Sequence, residues 1–411
     1  MNQGALAPNV VLIALDAFSH RVRLMPIAAE IVRQGANLIV VDSTESALFW
    51  GDVGASVVDL FADGTIEDAD PWTIPWAARR ITFAAMFGKQ LARRLAPLRP
   101  SLIVHDQFAV VGWVVANELN LPRVTLCGRS AFCTEREWAP IAQRGLLHIA
   151  DECHRAVDTL RSWGMPNASP FSFVTLHSDD LNVYAEPAQY LNEAERAMLD
   201  PVVCSGSVNL DGRTPPNPAL IFPVPTPAPT RQMTRLYVAF GTVMLQYWAD
   251  EAIGIIRSVA EATEANPQLT ALVSLGGADL AGKVSDLASS RFRVVDFVDQ
   301  WQVLTEADVF LTHHGMKSTH EAIYHGVPMI GCPFHADQPQ VSARCAEMGM
   351  SVPLVDDWDY ERSADDVLAA LAAVEDQRLE MADRFAEARQ WELDAIAARP
   401  AIVRRMRDMA S

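Results

Sequence analysis

The sequence is built from short apolar runs separated by longer stretches of helical spacing, and this alternation occurs twice. In the first half the runs are VVLIAL (10–15), LIVV (38–41), LIV (102–104) and VTL (124–126). Between them apolar residues fall at helical intervals, as with Ile27, Ile31 and Val32 ahead of Gly35. Short apolar runs bounded by polar residues are strands buried on both faces, and strands alternating with helices make a parallel sheet covered on two sides. Gly35 falls where a helix C-terminus would place a left-handed residue. The alternation breaks at DGRTPPNPALIFPVPTPAPT (211–230), where seven of twenty residues are proline. Proline lacks the N–H that a sheet ladder needs, so this segment is a stiff linker. The pattern then restarts with LYVAF (236–240), ALVSL (271–275), FRVV (292–295), VFL (309–311) and PMI (328–330). The expected fold is α/β, with two doubly wound, Rossmann-like halves. They span 1–210 and 234–385, joined by a linker at 211–233 and followed by a helical, charged C-terminal stretch at 386–411. Ligands of open α/β sheets bind at the carboxyl ends of the strands, so functional residues should follow these runs.

Length agrees with this division, since 411 residues exceed one ordinary domain. Acidic residues outnumber basic ones by 51 to 33 and there is no basic block. Such a chain is a poor partner for nucleic acid or an anionic membrane surface. The six cysteines (127, 133, 153, 204, 332, 345) form no Cys-x-x-Cys pair. They read as reduced, mostly buried thiols in a cytoplasmic protein. The first apolar run has no Lys or Arg before it and ends at Asp16, which makes it a strand and not a signal peptide. No apolar segment is long enough to span a bilayer.

One stretch, HHGMKSTHEAIYHGVPMIGCPFHADQ (313–338), holds five of the ten histidines. His320 and His325 nearly match a helical zinc-binding pair, but five residues separate them, which places them roughly 140° apart around a helix. No metal is expected. VFLTHHGMKS instead has the form of a strand, a turn at Gly315 and a helix start. Ser318 is placed to cap that helix, with Glu321 completing a capping box. A helix N-terminus attracts anions. With His313, Lys317 and Ser318 as added donors, the site suits a diphosphate, and Glu321, Asp337 and Gln338 suit hydroxyl groups. A diphosphate with sugars is a nucleotide-sugar.

The same stretch resembles the C-terminal signature of the UDP-glycosyltransferase superfamily (family 1 glycosyltransferases, GT-B fold), in its bacterial natural-product or macrolide-type branch. That signature runs T-H-G-G-x-N-S-x-x-E-A, then G-V-P-M, then P-x-x-x-D-Q; here the chain reads THHGMKSTHEA, GVPM and PFHADQ in the same order. FRVVDFVDQWQVL and YVAFGT resemble further family segments. The resemblance implies two domains facing a central cleft and a last helix that crosses back to the N-terminal half. It implies that Phe297 and the backbone of Val298 face the nucleobase, with Gln300 nearby. Thr242, His313, Gly315, Lys317 and Ser318 would lie at the diphosphate, with His313 and His314 the histidines in reach of it. Glu321 would hold the ribose, and Asp337 and Gln338 the sugar. Departures from the pattern are Lys317 where Asn is usual, Asp299 where Pro is usual and Val341 where Asn is usual.

Transfer of a sugar to a hydroxyl needs a general base, and a histidine suits neutral pH. After the first strand the chain reads FSHRVRLMP. The resemblance places the catalytic histidine at His20, with Ser19 in place of the usual Gly and Arg23 in place of a Pro. It places the partner carboxylate at Asp106, in LIVHDQF. Asp106 could equally cap the following helix, and Asp16 is a second candidate partner. Between 68 and 87, Trp72, Trp76, Phe83, Met86 and Phe87 could line an apolar acceptor pocket, together with Phe132, Trp138 and Trp113. The implied function is an inverting, metal-independent and cofactor-free hexosyltransferase using a UDP- or dTDP-sugar. Its acceptor would be a small apolar molecule of aromatic, polyketide or lipid-like kind. A nucleotide-sugar epimerase and a non-catalytic nucleotide-sugar binder remain as alternatives, and oligomeric state is open between monomer and homodimer.

Overall fold

The computed structural model describes residues 7–65, 75–133, 149, 151–210, 222–223, 233–242, 244–355 and 358–410, with backbone alone at 75–78 and 246. The chain divides into two compact units, Met1–Asp211 with Leu393–Ser411, and Gly212–Glu392. Most of the proline-rich segment lies outside the described residues.

The first unit is built on a parallel sheet. Its strands are β1 (Asn9–Ile13), β2 (Asn37–Asp42), β3 (Ser56–Asp59), β4 (Leu102–Asp106), β5 (Arg123–Cys127), β6 (Leu181–Tyr184) and β7 (Val202–Cys204). Their order across the sheet is β3-β2-β1-β4-β5-β6-β7. In register, Val10 of β1 lies between Leu38 of β2 and Leu102 of β4. Those three side chains belong to one buried cluster with Leu24, Ile27 and Ile31 of the helix Phe18–Arg33. Each aliphatic side chain so buried contributes roughly 1.5–3 kcal/mol. That helix ends at Gln34, and Gly35 follows with φ 80°. The chain's last helix, Arg378–Met409, supplies Ile402, Val403 and Met406 to the same cluster. Arg399 fixes it further by donating to the carbonyls of Ser205 at 2.8 Å and Val208 at 2.7 Å.

The second unit repeats the plan with β8 (Thr234–Ala239), β9 (Leu269–Ser274), β10 (Phe292–Val295), β11 (Val309–Thr312), β12 (Met329–Gly331) and β13 (Ser351–Pro353). The order is β10-β9-β8-β11-β12-β13, all parallel. His320 and Glu392, both almost wholly buried, meet at 3.1 Å and join the helix Met316–His325 to the last helix.

In each sheet the winding reverses beside its first strand. The reversal lies between β1 and β4 in the first unit and between β8 and β11 in the second. Crevices at the carboxyl ends of such strand pairs are where open α/β sheets bind ligands.

Candidate functional site

In the second unit the reversal point is crowded with glycine. Two residues after β8 comes Gly241, whose φ is 74°, and Thr242 follows it, exposed. A Cβ on Gly276, after β9, would stand 2.4 Å from the Gly241 carbonyl oxygen. A Cβ on Gly241 would stand 2.8 Å from Nε2 of His313, and one on Gly315 would stand 2.4 Å from it. No larger residue fits at either glycine without moving the ring. Burial pushes the His313 imidazole down to about 4, against an upward pull from the Ala239 backbone. The ring is neutral at pH 7 and offers at most one N–H donor, not a charge.

His314 does not reach this crevice. Its φ of 57° turns the ring into the interior, where Nε2 lies 2.9 Å from Ser351 Oγ and Nδ1 lies 3.3 Å from Thr319 Oγ1. Burial pushes it down to about 3. Both ring nitrogens of His314 thus face hydroxyls inside the unit and brace the turn.

The helix begins earlier than Ser318. Gly315 is the N-cap and Met316 the first residue, so Ser318 lies inside the first turn and forms no capping box. With His314 in a left-handed conformation at the turn, the helix starts three residues sooner. Ser318 Oγ instead accepts from Gln300 Nε2 at 3.1 Å. Gln300 Nε2 also donates to Glu321 Oε2 at 2.8 Å, and Lys317 Nζ meets Glu321 Oε1 at 2.9 Å. Both oxygens of this buried carboxylate are thereby held by donors. Lys317 is partly exposed and is the charged group beside the helix N-terminus.

Phe297 is two-thirds exposed, and Val298 is half-buried. Asp299 accepts from Trp301 N at 3.1 Å and caps the short helix Gln300–Leu304, which anchors the loop without the proline. Asp337 is half-buried at the N-cap of the helix Gln338–Glu347. Gln338 is 5% exposed and its Oε1 accepts from Phe334 N at 2.9 Å and His335 N at 3.3 Å. It braces the turn in which Ala336 takes φ 54°, a left-handed conformation rarely adopted outside glycine.

In the first unit, β4 delivers Asp106 fully buried. Its Oδ1 accepts from Phe108 N at 2.9 Å, closing a tight turn. Its Oδ2 faces His20 Nδ1 at 3.0 Å. Asp106 is not a helix cap: the next helix, Val111–Leu119, has Val110 at its N-cap and no side-chain cap. Asp16 is not the partner either, because Arg21 and Ser43 engage it. Arg23 donates to Asp106 Oδ2, and its Nη2 lies 2.8 Å from His20 Nδ1. Burial would raise Asp106, but Arg23 and then His20 outweigh it and hold the carboxyl well below the usual range. For His20, burial lowers the imidazole, Asp106 raises it, and Arg23 and Arg80 lower it; the net shift is downward.

Phe83 is buried, packed on Phe87 at 5.1 Å and Phe61 at 5.7 Å. Phe132 packs near Tyr184 at 6.1 Å and under the Arg129 guanidinium. Trp113 is buried against Arg123, and Met86 is exposed. Trp72 and Trp138, and the side chain of Trp76, lie outside the described residues. Beside His20 stands Phe108, edge-on at 4.9 Å, backed by Phe173 at 5.3 Å. Sequence reasoning passed over both; the place of Phe108 two residues after Asp106 was the available signal.

Comparison with known proteins gives the donor side its family. Residues 232–381 match the model of UDP-glucoronosyl and UDP-glucosyl transferase, a span that takes in every donor-side residue from Thr242 to Gln338. The match lies within the second unit and covers most of it. Within it the chain is 40% identical over 73 residues to mouse UDP-glucuronosyltransferase 2A2 and, over the same length, to the Bacillus subtilis UDP-glucosyltransferase YdhE. These alignments cover 17% and 16% of this chain and 14% and 18% of the relatives, so the chain spans a small part of the curated proteins it matches. Over nearly its whole length the chain matches solved structures in fold. A glycosyltransferase of kitacinnamycin aligns with TM-score 0.75 at 19% identity, over 98% of this chain and 100% of that one. The calicheamicin glycosyltransferase CalG4 aligns with TM-score 0.70 at 18% identity, over 99% and 100%. The architecture is that of GT-B glycosyltransferases. Among the described residues no helix is long and apolar enough to cross a membrane.

Proposed function

We propose that the protein is an inverting glycosyltransferase that moves a hexose from a UDP- or dTDP-sugar to the hydroxyl of a small, largely apolar natural product. The observation that carries this is the pairing of part-buried His20 with fully buried Asp106, at the reversal point of one sheet in a chain whose other sheet lies in the segment that matches the UDP-glycosyltransferase model. Asp106 accepts from His20 Nδ1–H and leaves Nε2 as the proton acceptor. Nε2 takes the acceptor's hydroxyl proton as its oxygen bonds to the anomeric carbon. The bond from that carbon to the diphosphate breaks, and its electron pair leaves with the nucleotide. Thr242, Lys317 and the N–H groups at the start of the helix Met316–His325 receive the growing negative charge. Those groups supply the positive field, so the scheme calls on no metal and no cofactor. Glu321 holds ribose hydroxyls, Phe297 faces the base, and Asp337 with Gln338 addresses the sugar.

The relatives support the substrate class. Solved structures similar to this chain include a spinosyn rhamnosyltransferase with spinosyn aglycone and the same enzyme with thymidine diphosphate. Phe108 and Phe173 extend the apolar surface beside His20. The test is incubation with UDP- and dTDP-hexoses and a panel of phenolic, polyketide and lipid-like alcohols. An α-linked donor should give a β-linked product, read from the anomeric proton coupling. An α-linked product would remove the single-displacement scheme.

A further inference from the structure

Arg23 is one helical turn beyond His20 on the helix Phe18–Arg33, and its side chain is 9% exposed. Its Nη2 reaches Asp106 Oδ2, the same oxygen that faces His20 Nδ1 at 3.0 Å, and lies 2.8 Å from that Nδ1. Three polar atoms therefore form a closed triangle with one carboxylate oxygen as the shared acceptor. Arginine donates only, so the contacts are compatible with two arrangements. In one, Nδ1 is bare and accepts from the guanidinium, but its lone pair faces the anionic oxygen 3.0 Å away. In the other, Nδ1–H and the guanidinium both donate to Oδ2 and stand as two donors 2.8 Å apart. The second replaces a lone-pair clash with a full negative charge by a charge-assisted hydrogen bond and leaves Nε2 free to accept a proton.

Resting on the reading of His20 as base, we propose that Arg23 is a positioning residue of the pair: by sharing Asp106 Oδ2 it holds the carboxylate that orients His20 while opposing formation of the imidazolium. A carboxylate that faces an imidazole alone does two things. It orients the ring and it stabilises the protonated form. Arg23 preserves the first effect and cancels much of the second, because Asp106 is already neutralised by a cation. The other charged group facing His20 is Arg80, from the helix Pro75–Leu95; it acts in the same direction as Arg23, and Asp106 acts against both. Phe108, edge-on to the ring, brings no charge. The pair is thus built to stay a neutral base to lower pH than a histidine–aspartate pair alone.

The experiment is nuclear magnetic resonance of the full chain labelled with ¹⁵N-histidine, assigned by loss of the His20 signals in His20→Gln. In the wild type the neutral ring should show a protonated Nδ1, and its titration midpoint should lie below the ordinary histidine value. Arg23→Met should move the midpoint upward, and Arg23→Lys, which keeps the charge, should hold it down. A wild-type midpoint above the ordinary value, or an Nε2–H tautomer, overturns the proposal, as does an unchanged midpoint in Arg23→Met. If Arg23→Met does not fold, Arg23→Gln, which keeps N–H donors and drops the charge, should raise the midpoint instead, and an unchanged midpoint there overturns the proposal. These readouts need no donor or acceptor. Absence of sugar transfer would count against the proposed activity without touching them.

Discussion

Lys317 and Glu321 lie one turn apart on the same helix and meet at 2.9 Å, with Glu321 almost wholly buried and Lys317 partly exposed. The pair keeps a cation on the first turn of the helix, where the family that the stretch resembles usually has a neutral amide. Lys317→Met should weaken UDP or dTDP binding roughly tenfold, the loss of a charge-assisted hydrogen bond. The loss should shrink at high salt, because the exposed end of the pair is screened. Titration calorimetry at two salt concentrations checks both.

Glycine at 315 is demanded by the ring of His313, which a Cβ would approach to 2.4 Å. Gly315→Ala should leave the fold standing and raise the nucleotide dissociation constant at least tenfold, because the displaced ring or turn moves the first helical N–H groups. Circular dichroism and calorimetry on the same preparation separate the two effects.

His314 has the opposite role. Its two hydrogen bonds join the turn to Thr319 and Ser351 in the interior. His314→Ala leaves those hydroxyls without the ring and opens a cavity, and should cost about 2–4 kcal/mol of stability. Nucleotide affinity of the folded fraction should change far less than in Gly315→Ala.

Buried histidines also make stability depend on pH. His105 and His313 are pushed down to about 4 and His314 to about 3, chiefly by burial. In the unfolded chain each titrates near 6.5. Between these values the unfolded chain binds more protons, so stability falls as pH drops below about 6.5. Each residue contributes up to about 1.4 kcal/mol per pH unit. Urea unfolding at pH 7.5, 6.0 and 5.0 should show a falling midpoint. A flat profile would mean that these rings are protonated in place.

The Arg23 contact bears on acceptor choice. A base that resists becoming an imidazolium takes a proton more readily from a phenol or enol than from an aliphatic alcohol. Paired acceptors differing only in a phenolic or benzylic hydroxyl should be glycosylated at rates favouring the phenol by about tenfold or more, on the order of 1.4 kcal/mol in the barrier. Arg23→Lys should keep the preference.

Much of this was legible in the sequence, for a physical reason. Strands such as β1, β4, β8 and β11 are buried on both faces, so they read as continuous apolar runs. The residues at or soon after their carboxyl ends, His20, Asp106, Gly241 and His313, inherit their place from the topology. β3, β6 and β13 were not legible, being short and partly polar. In β6, Asn182 is fully buried because its side chain bonds Ser178 and Leu199 carbonyls, a partnership invisible in one dimension. The helix start at Gly315 was missed because Ser318 and Glu321 have capping-box spacing; the left-handed His314 overrides it. Acceptor residues were the least legible, since an aromatic on a helix packs a core, as Phe83 does, as readily as it lines a pocket.

The most direct measurement is release of nucleoside diphosphate by the purified protein with donor and acceptor, beside His20→Ala. The account predicts release that requires an acceptor and falls by about a hundredfold or more in the variant, while nucleotide binding is unchanged. Acceptor-dependent release that survives His20→Ala at the wild-type rate would contradict it.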